Sequence, residues 1–315
     1  KNNLEGFKNA KFNDLPEELY RRESRHFITE YQLKIQDIFR QKIFNDAITI
    51  ASYPLDYQAS AEDYPGFVLF NPEYYSIPLR TLIARKNDNL MIVGRSSGYS
   101  SLAAASARVL PVGMNTAQAA AAAAAEALKK DKKLLEIAED KESLNKIRSQ
   151  LNIELSNYPA ESPIIKDKEL LASVEKLLSW GITIGGYNNN FKLNIRPTEK
   201  EFTAVILKIM QKKEAENLYE WVPGSLETLS SSQKLSTTNA LKLLLAAESQ
   251  RVLEMPRSQY FQQANKMNLI PEKLADILSE DRLMSRKEMI ILASHYLDRF
   301  STPSDLKYIR GEYFY

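Results

Sequence analysis

Asp88-Asn89-Leu90-Met91-Ile92-Val93-Gly94-Arg95 decides how this 315-residue chain is read. It leads through Arg108, Pro111 and Gly113 to the alanines Ala117 and Ala119 to Ala125. The apolar run Leu90 to Val93 predicts a short buried strand, and Gly94 breaks it. Pro111 and Gly113 stand where a helix opens, and alanine, the strongest helix former, propagates it. The product is a strand, a loop and a helix around a backbone cradle. Amides at the helix start and the positive end of its dipole converge there, which suits a phosphate or another electron-rich group. A plain buried strand followed by an alanine-rich packing helix would have the same pattern, and periodicity alone leaves both open.

Composition narrows the function classes. At 44% hydrophobic and 10% aromatic residues, the chain holds enough apolar material for one large or two ordinary globular domains. Its 42 basic and 40 acidic side chains nearly cancel, to +2, which leaves no polyanion footprint and excludes a nucleic-acid partner. The absence of cysteine excludes disulfides, cysteine nucleophiles and thiolate metal sites within these residues. His26 and His295 are the only histidines, so no metal centre is expected. No run approaches the ~18 apolar residues of a membrane span, and Lys1-Asn2-Asn3-Leu4 lacks the apolar core of a secretion signal. None of the ten glycines falls in a G-x-G-x-x-G arrangement.

Several ordered motifs carry a resemblance. Ile77-Pro78-Leu79-Arg80-Thr81-Leu82-Ile83, Asp88 to Arg95, Arg108-Val109-Leu110-Pro111 and Ala117-Gln118-Ala119-Ala120-Ala121 are the central ones. Leu19 to Arg25 and Tyr53-Pro54-Leu55-Asp56 precede them, and Leu144 to Leu151 follows. Together they resemble the C-terminal, flavin-contacting part of bacterial FAD-dependent oxidoreductases. The resemblance implies an α/β, Rossmann-like fold over about residues 1–155 and FAD as cofactor. In that family the glycine fingerprint gripping the ADP half lies at the N-terminus, so an N-terminal FAD-binding segment or chain is the expected partner, and these residues are expected to be the C-terminal part of a longer or split protein.

On this resemblance Gly94 lets the backbone approach the cofactor and Arg95 balances its phosphate or ribityl polarity. The amides of Val112, Gly113 and Met114 face the pyrimidine edge. Arg108 is the expected catalytic side chain on the substrate face, and Arg22, Arg25 and Tyr75 are candidate substrate contacts. Ser101 and Gln58, the other two expected catalytic side chains, stand where the family has histidines, within Ser100-Ser101 and Asp56-Tyr57-Gln58, so two imidazoles are lost. Two helix glycines of the family are Ala117 and Ala121 here. Two function classes follow: a working flavin oxidoreductase, or a flavoenzyme-like scaffold with its chemistry partly lost.

Residues 1 to about 112 mix strand-like runs at Ala47 to Ala51, Phe67 to Phe70 and Leu90 to Val93 with an amphipathic stretch from Arg25 to Phe44. A helix from Met114 to Lys130 and a second from Leu134 to Leu151 are expected. Prolines at Pro159 and Pro163 mark a linker over 156–167. Beyond it, 168–315 reads as an all-α repeat. Thr198-x-x-Glu201 and Ser285-x-x-Glu288 are capping boxes opening apolar runs, with Ser236-Thr237 as a worn middle copy. The turn Gly181-Ile182 to Gly186-Tyr187 and Phe191 adds a likeness to S-layer homology (SLH) modules. That likeness implies a bacterial cell-surface location and a cell-wall polysaccharide partner held by box arginines. Only Arg286 keeps that arginine, because Glu199 and Thr237 replace it in the other copies. A helical docking domain is the alternative reading of this half.

Overall fold

The structure is a computed structural model that describes residues 25–57, 67–182, 184–185, 188–211, 226, 230–249 and 254–300. Arg22, Gln58, the loop 63–66, Gly186 and Tyr187 lie outside the described residues.

Little of the first half is sheet. β1 (Ala47–Ala51) pairs antiparallel with β4 (Tyr75–Pro78), and β2 (Leu55–Tyr57) pairs antiparallel with β3 (Phe67–Leu69). No parallel Rossmann sheet is present among the described residues. The expected strand Leu90 to Val93 is replaced by an isolated bridge between Ile83 and Met91. Leu90 and Val93 remain 39% and 41% exposed, since no further strand flanks them among the described residues. The amphipathic stretch from Arg25 also differs from expectation. It forms only the short helix α1 (Ile35–Phe39), preceded by the bridges Thr29 to Ala84 and Leu33 to Tyr99.

Helices dominate the rest. The serine-rich loop expected after Gly94-Arg95 folds as α2 (Ser101–Ala107), capped where the Ser100 hydroxyl accepts the Ala103 amide. The alanine helix α3 (Leu110–Lys130) begins earlier than expected, with Pro111 in its first turn, and ends at Asp131 in the left-handed conformation. No described helix is long and apolar enough to cross a membrane. The second expected helix splits at Asp140 into α4 (Leu134–Glu139) and α5 (Lys141–Gln150), because the Asp140 carboxylate caps the start of α5. Ala119, Ala123, Ile137, Leu144 and Ile147 from these helices pack with Ile48, Leu79 and Leu82 in one apolar cluster. The missing side-chain bulk of alanine is what lets α3 lie close against β1.

The second half contains α6 (Lys168–Ser179), α7 (Glu199–Gln211), α8 (Thr237–Ser249), α9 (Arg257–Lys266), α10 (Ala275–Ser279) and α11 (Arg286–Leu297). The segment read as a linker is laid along α1: the Ile43 amide donates to the Ala160 carbonyl at 2.8 Å and the Ser162 amide to the Arg40 carbonyl at 3.0 Å. One apolar core then runs through both halves, from Leu33, Ile38 and Leu102 to Leu177, Phe202, Leu244 and Ile290. Arg40 clamps the join with a two-pronged bond to Glu175 on α6, at 2.6 and 2.8 Å. That geometry holds the Arg40 guanidinium above its ordinary pKa, chiefly through the Glu175 hydrogen bonds.

Candidate flavin-facing site

Gly94 opens a short 3-10 turn, Gly94–Ser96, with φ of +79°, a conformation that favours glycine. A Cβ added there would meet no atom within 4 Å, so the space over Gly94 is open. Four residues on, the chain is instead packed tight. A Cβ on Gly98 would fall 1.7 Å from the Thr29 hydroxyl oxygen and 2.9 Å from the Thr81 carbonyl oxygen. The loop is therefore fixed at Gly98 and open at Gly94.

The start of α3 comes to the same place. A Cβ on Gly113 would lie 3.9 Å from the Gly94 Cα, so the first turns of the helix rest on the Gly94 backbone. Because the helix begins at Leu110, the Gly113 amide is already donated to the Val109 carbonyl at 3.0 Å. This shifts the amides available to a ligand from Gly113 and Met114 to Leu110 and Val112, since only first-turn amides lack intrahelical acceptors and Pro111 has none. Around this corner large apolar side chains face outward: Leu110 at 78%, Met114 at 66% and Val93 at 41% exposure. Val112 itself is buried beneath them. Arg95 is exposed beside Gly94.

Arg108 caps the C-terminal end of α2, immediately before α3. Its Nη2 donates to the Asp56 carbonyl at 2.8 Å, while its Nε is buried without a hydrogen-bond partner. No carboxylate pairs with it among the described residues. A buried hydroxyl chain starts two residues before it in the sequence, at Ser106. The Tyr75 and Ser106 hydroxyls are 2.8 Å apart, and Ser106 donates to the Tyr53 carbonyl at 2.7 Å. Tyr75 is fully buried, and burial pushes its phenol above the ordinary value. Its hydroxyl is engaged by Ser106 inside the core. Ser101 is buried in the first turn of α2, and Arg25 is exposed. The structure brings Gly94, Arg95, Gly113 and the start of α3 together, with Arg108 two residues before that start. Sequence reasoning missed Ser106 and Gly98, although Gly98 stands three residues after Arg95 as one of few glycines.

The helical half has its own convergence. The segments before α7, α8 and α11 lie side by side, bridged at Thr198 to Lys234 and at Ser236 to Leu283. Thr198 and Glu201 form the expected box, as do Ser285 and Glu288. The residue after each cap reaches into another of these segments. Glu199 is buried and accepts from Asn239 and from the Ser231 amide and hydroxyl, the latter two at 2.9 and 2.8 Å. Thr237 donates to the Glu280 carbonyl, and Arg286 donates to Glu201. The three positions thus close a ring. Arg286 is 5% exposed: its Nη2 is held by Glu201 and its Nε is buried without a hydrogen-bond partner, so the guanidinium is not presented to solvent.

Residues 1–151 match the family model described as FAD dependent oxidoreductase. That part of the chain carries an FAD-dependent oxidoreductase signature, and the family implies a Rossmann-like α/β fold and FAD as its cofactor. The match ends before the helical half begins. No curated protein and no solved structure matches the chain.

Proposed function

We propose that Gly94 and the start of α3 form one wall of the FAD pocket of an oxidoreductase, and that the nucleotide-gripping wall comes from another segment or a separate chain. The supporting observation is the open space over Gly94, on a corner whose residues Val93, Leu110 and Met114 have exposed side chains. Exposed aliphatic clusters of this kind mark surfaces that are covered in the working assembly. A flavin ring fits them in chemistry: an apolar face, a glycine that leaves room, and helix-start amides for a pyrimidine edge.

Bound FAD would supply the electron-pair acceptor that no side chain here provides. The protein's part is positioning and charge balance. Leu110 and Val112 amides would donate toward the pyrimidine edge and favour negative charge there. Arg95 would balance phosphate or ribityl oxygens, and Arg108, steadied by the Asp56 carbonyl, would orient an anionic substrate group. Gly94→Val tests this in the native assembly. Bound FAD should fall at least tenfold with the fold retained, and unchanged FAD occupancy would place the cofactor elsewhere.

A second reading, a scaffold without chemistry, is favoured by the fate of the pair Ser100-Ser101, where the family has one of its two histidines. Ser100 is spent capping α2 and Ser101 is buried beside it, so neither offers a proton shuttle. The closed ring of three capped helices supports an SLH-like origin for 168–315 and, with it, a bacterial cell-surface location. Polysaccharide binding through Arg286 has weaker support, because Glu201 already occupies that side chain. A pull-down with purified sacculi that is unaffected by Arg286→Ala would remove it.

A further inference from the structure

On the helical half, Lys192 to Arg196 are five successive exposed residues that join two aliphatic side chains to two cations. Leu193 and Ile195 are 44% and 52% exposed. The loop is tied to its neighbours through the backbone. Arg196 donates to the Leu283 carbonyl at 2.8 Å, and the Lys234 ammonium donates to the Arg196 carbonyl at 3.2 Å. Leu283, 40% exposed, and the cation Lys234 are thereby added to the same surface.

The charges of this surface are not balanced locally. Arg196 and Lys234 are bonded to neutral carbonyls, and no carboxylate pairs with Lys192, Arg196 or Lys234 among the described residues. Four acids of the neighbouring segments are engaged otherwise: Glu199 by Asn239 and Ser231, Glu201 by Arg286, Glu288 by Arg282, and Asp281 by Thr238. The patch thus combines positive charge, paired by no described carboxylate, with aliphatic side chains in solvent. Its complement must be both anionic and apolar, which argues against a plain polyanion.

We propose that this patch docks on an anionic lipid surface, with Leu193, Ile195 and Leu283 entering the headgroup boundary and Lys192, Arg196 and Lys234 meeting lipid phosphates. Interfacial binding of this type scales with buried apolar area plus attraction to anionic lipid. An acidic peptide is the less suitable occupant. The aliphatic side chains stand on an exposed run rather than lining a groove, and a lipid boundary accepts such side chains without shape complementarity.

Flotation of the full chain with vesicles tests it, comparing phosphatidylglycerol mixed with phosphatidylcholine against phosphatidylcholine alone. The wild-type chain should float with the anionic vesicles only. Leu193→Ser with Ile195→Ser, and separately Lys192→Glu with Lys234→Glu, should each lower partitioning roughly tenfold or more while leaving the circular dichroism melt unchanged. Absence of wild-type flotation overturns the proposal, as does equal flotation of either double variant. Binding to an acidic leucine-containing peptide without binding to vesicles would assign the surface to a protein and also overturn it.

Discussion

Gly113 rests on Gly94: a Cβ on the first would lie 3.9 Å from the Cα of the second. This contact aims the start of the 21-residue helix α3 at the open side of the loop. It is also where the two glycines of the loop part company, because Gly94 faces open space while Gly98 is walled in.

The two loop glycines should therefore respond differently to alanine. Gly94→Ala should cost about 1–2 kcal/mol, the strain of a left-handed backbone, since its Cβ meets nothing. Gly98→Ala should cost more, because the new Cβ would fall 1.7 Å from the Thr29 hydroxyl oxygen and 2.9 Å from the Thr81 carbonyl. Urea unfolding of the two variants checks the order.

Tyr75 and Ser106 form a buried strut, so removing either hydroxyl should register in stability. Tyr75→Phe leaves Ser106 bonded to Tyr53 and should cost about 1 kcal/mol. Ser106→Ala strands both the Tyr75 hydroxyl and the Tyr53 carbonyl and should cost about 1–3 kcal/mol. The ranking of the two denaturation midpoints is the observable.

Arg286 should behave as a structural residue. Arg286→Met breaks its bond to Glu201 between α11 and α7 and should destabilise by about 1–3 kcal/mol, below the fully buried case because Glu201 is 39% exposed. The double variant with Glu201→Gln should be less destabilised than the sum of the single changes. A thermal-melt cycle measures this.

Acid should weaken the α3, α4 and α5 corner. Lys132, then Ser143 and Lys130, hold the Asp140 carboxyl well below its ordinary range, and Lys146 lowers that of Glu126. A carboxylate with a depressed folded pKa stabilises fully above its unfolded pKa, about 3.9 for Asp, and the gain is lost as pH falls toward the folded value. Stability from this corner should be flat above about pH 5 and decline below about pH 4. Asp140→Asn should flatten that decline in melts recorded across the acid range.

Local chemistry made some of this legible in the sequence. Helix propensity announced α3, and the capping boxes at Thr198 and Ser285 announced α7 and α11, because those signals act within one turn. Burial was not legible. Leu90 to Val93 has the composition of a core strand, yet burial depends on neighbouring strands that the run itself does not encode. The helix α2 was overlooked because a family loop was expected there, although Leu102 to Ala107 favours a helix. Tyr75 shows the same limit, since its partner Ser106 lies 31 residues away.

The most direct test is to isolate the native assembly containing this chain, denature it, and quantify released flavin by absorbance and chromatography. FAD should be released in stoichiometric amount and be lost when Gly94 is replaced by Val. A native assembly that releases no flavin would contradict the oxidoreductase reading and leave the scaffold.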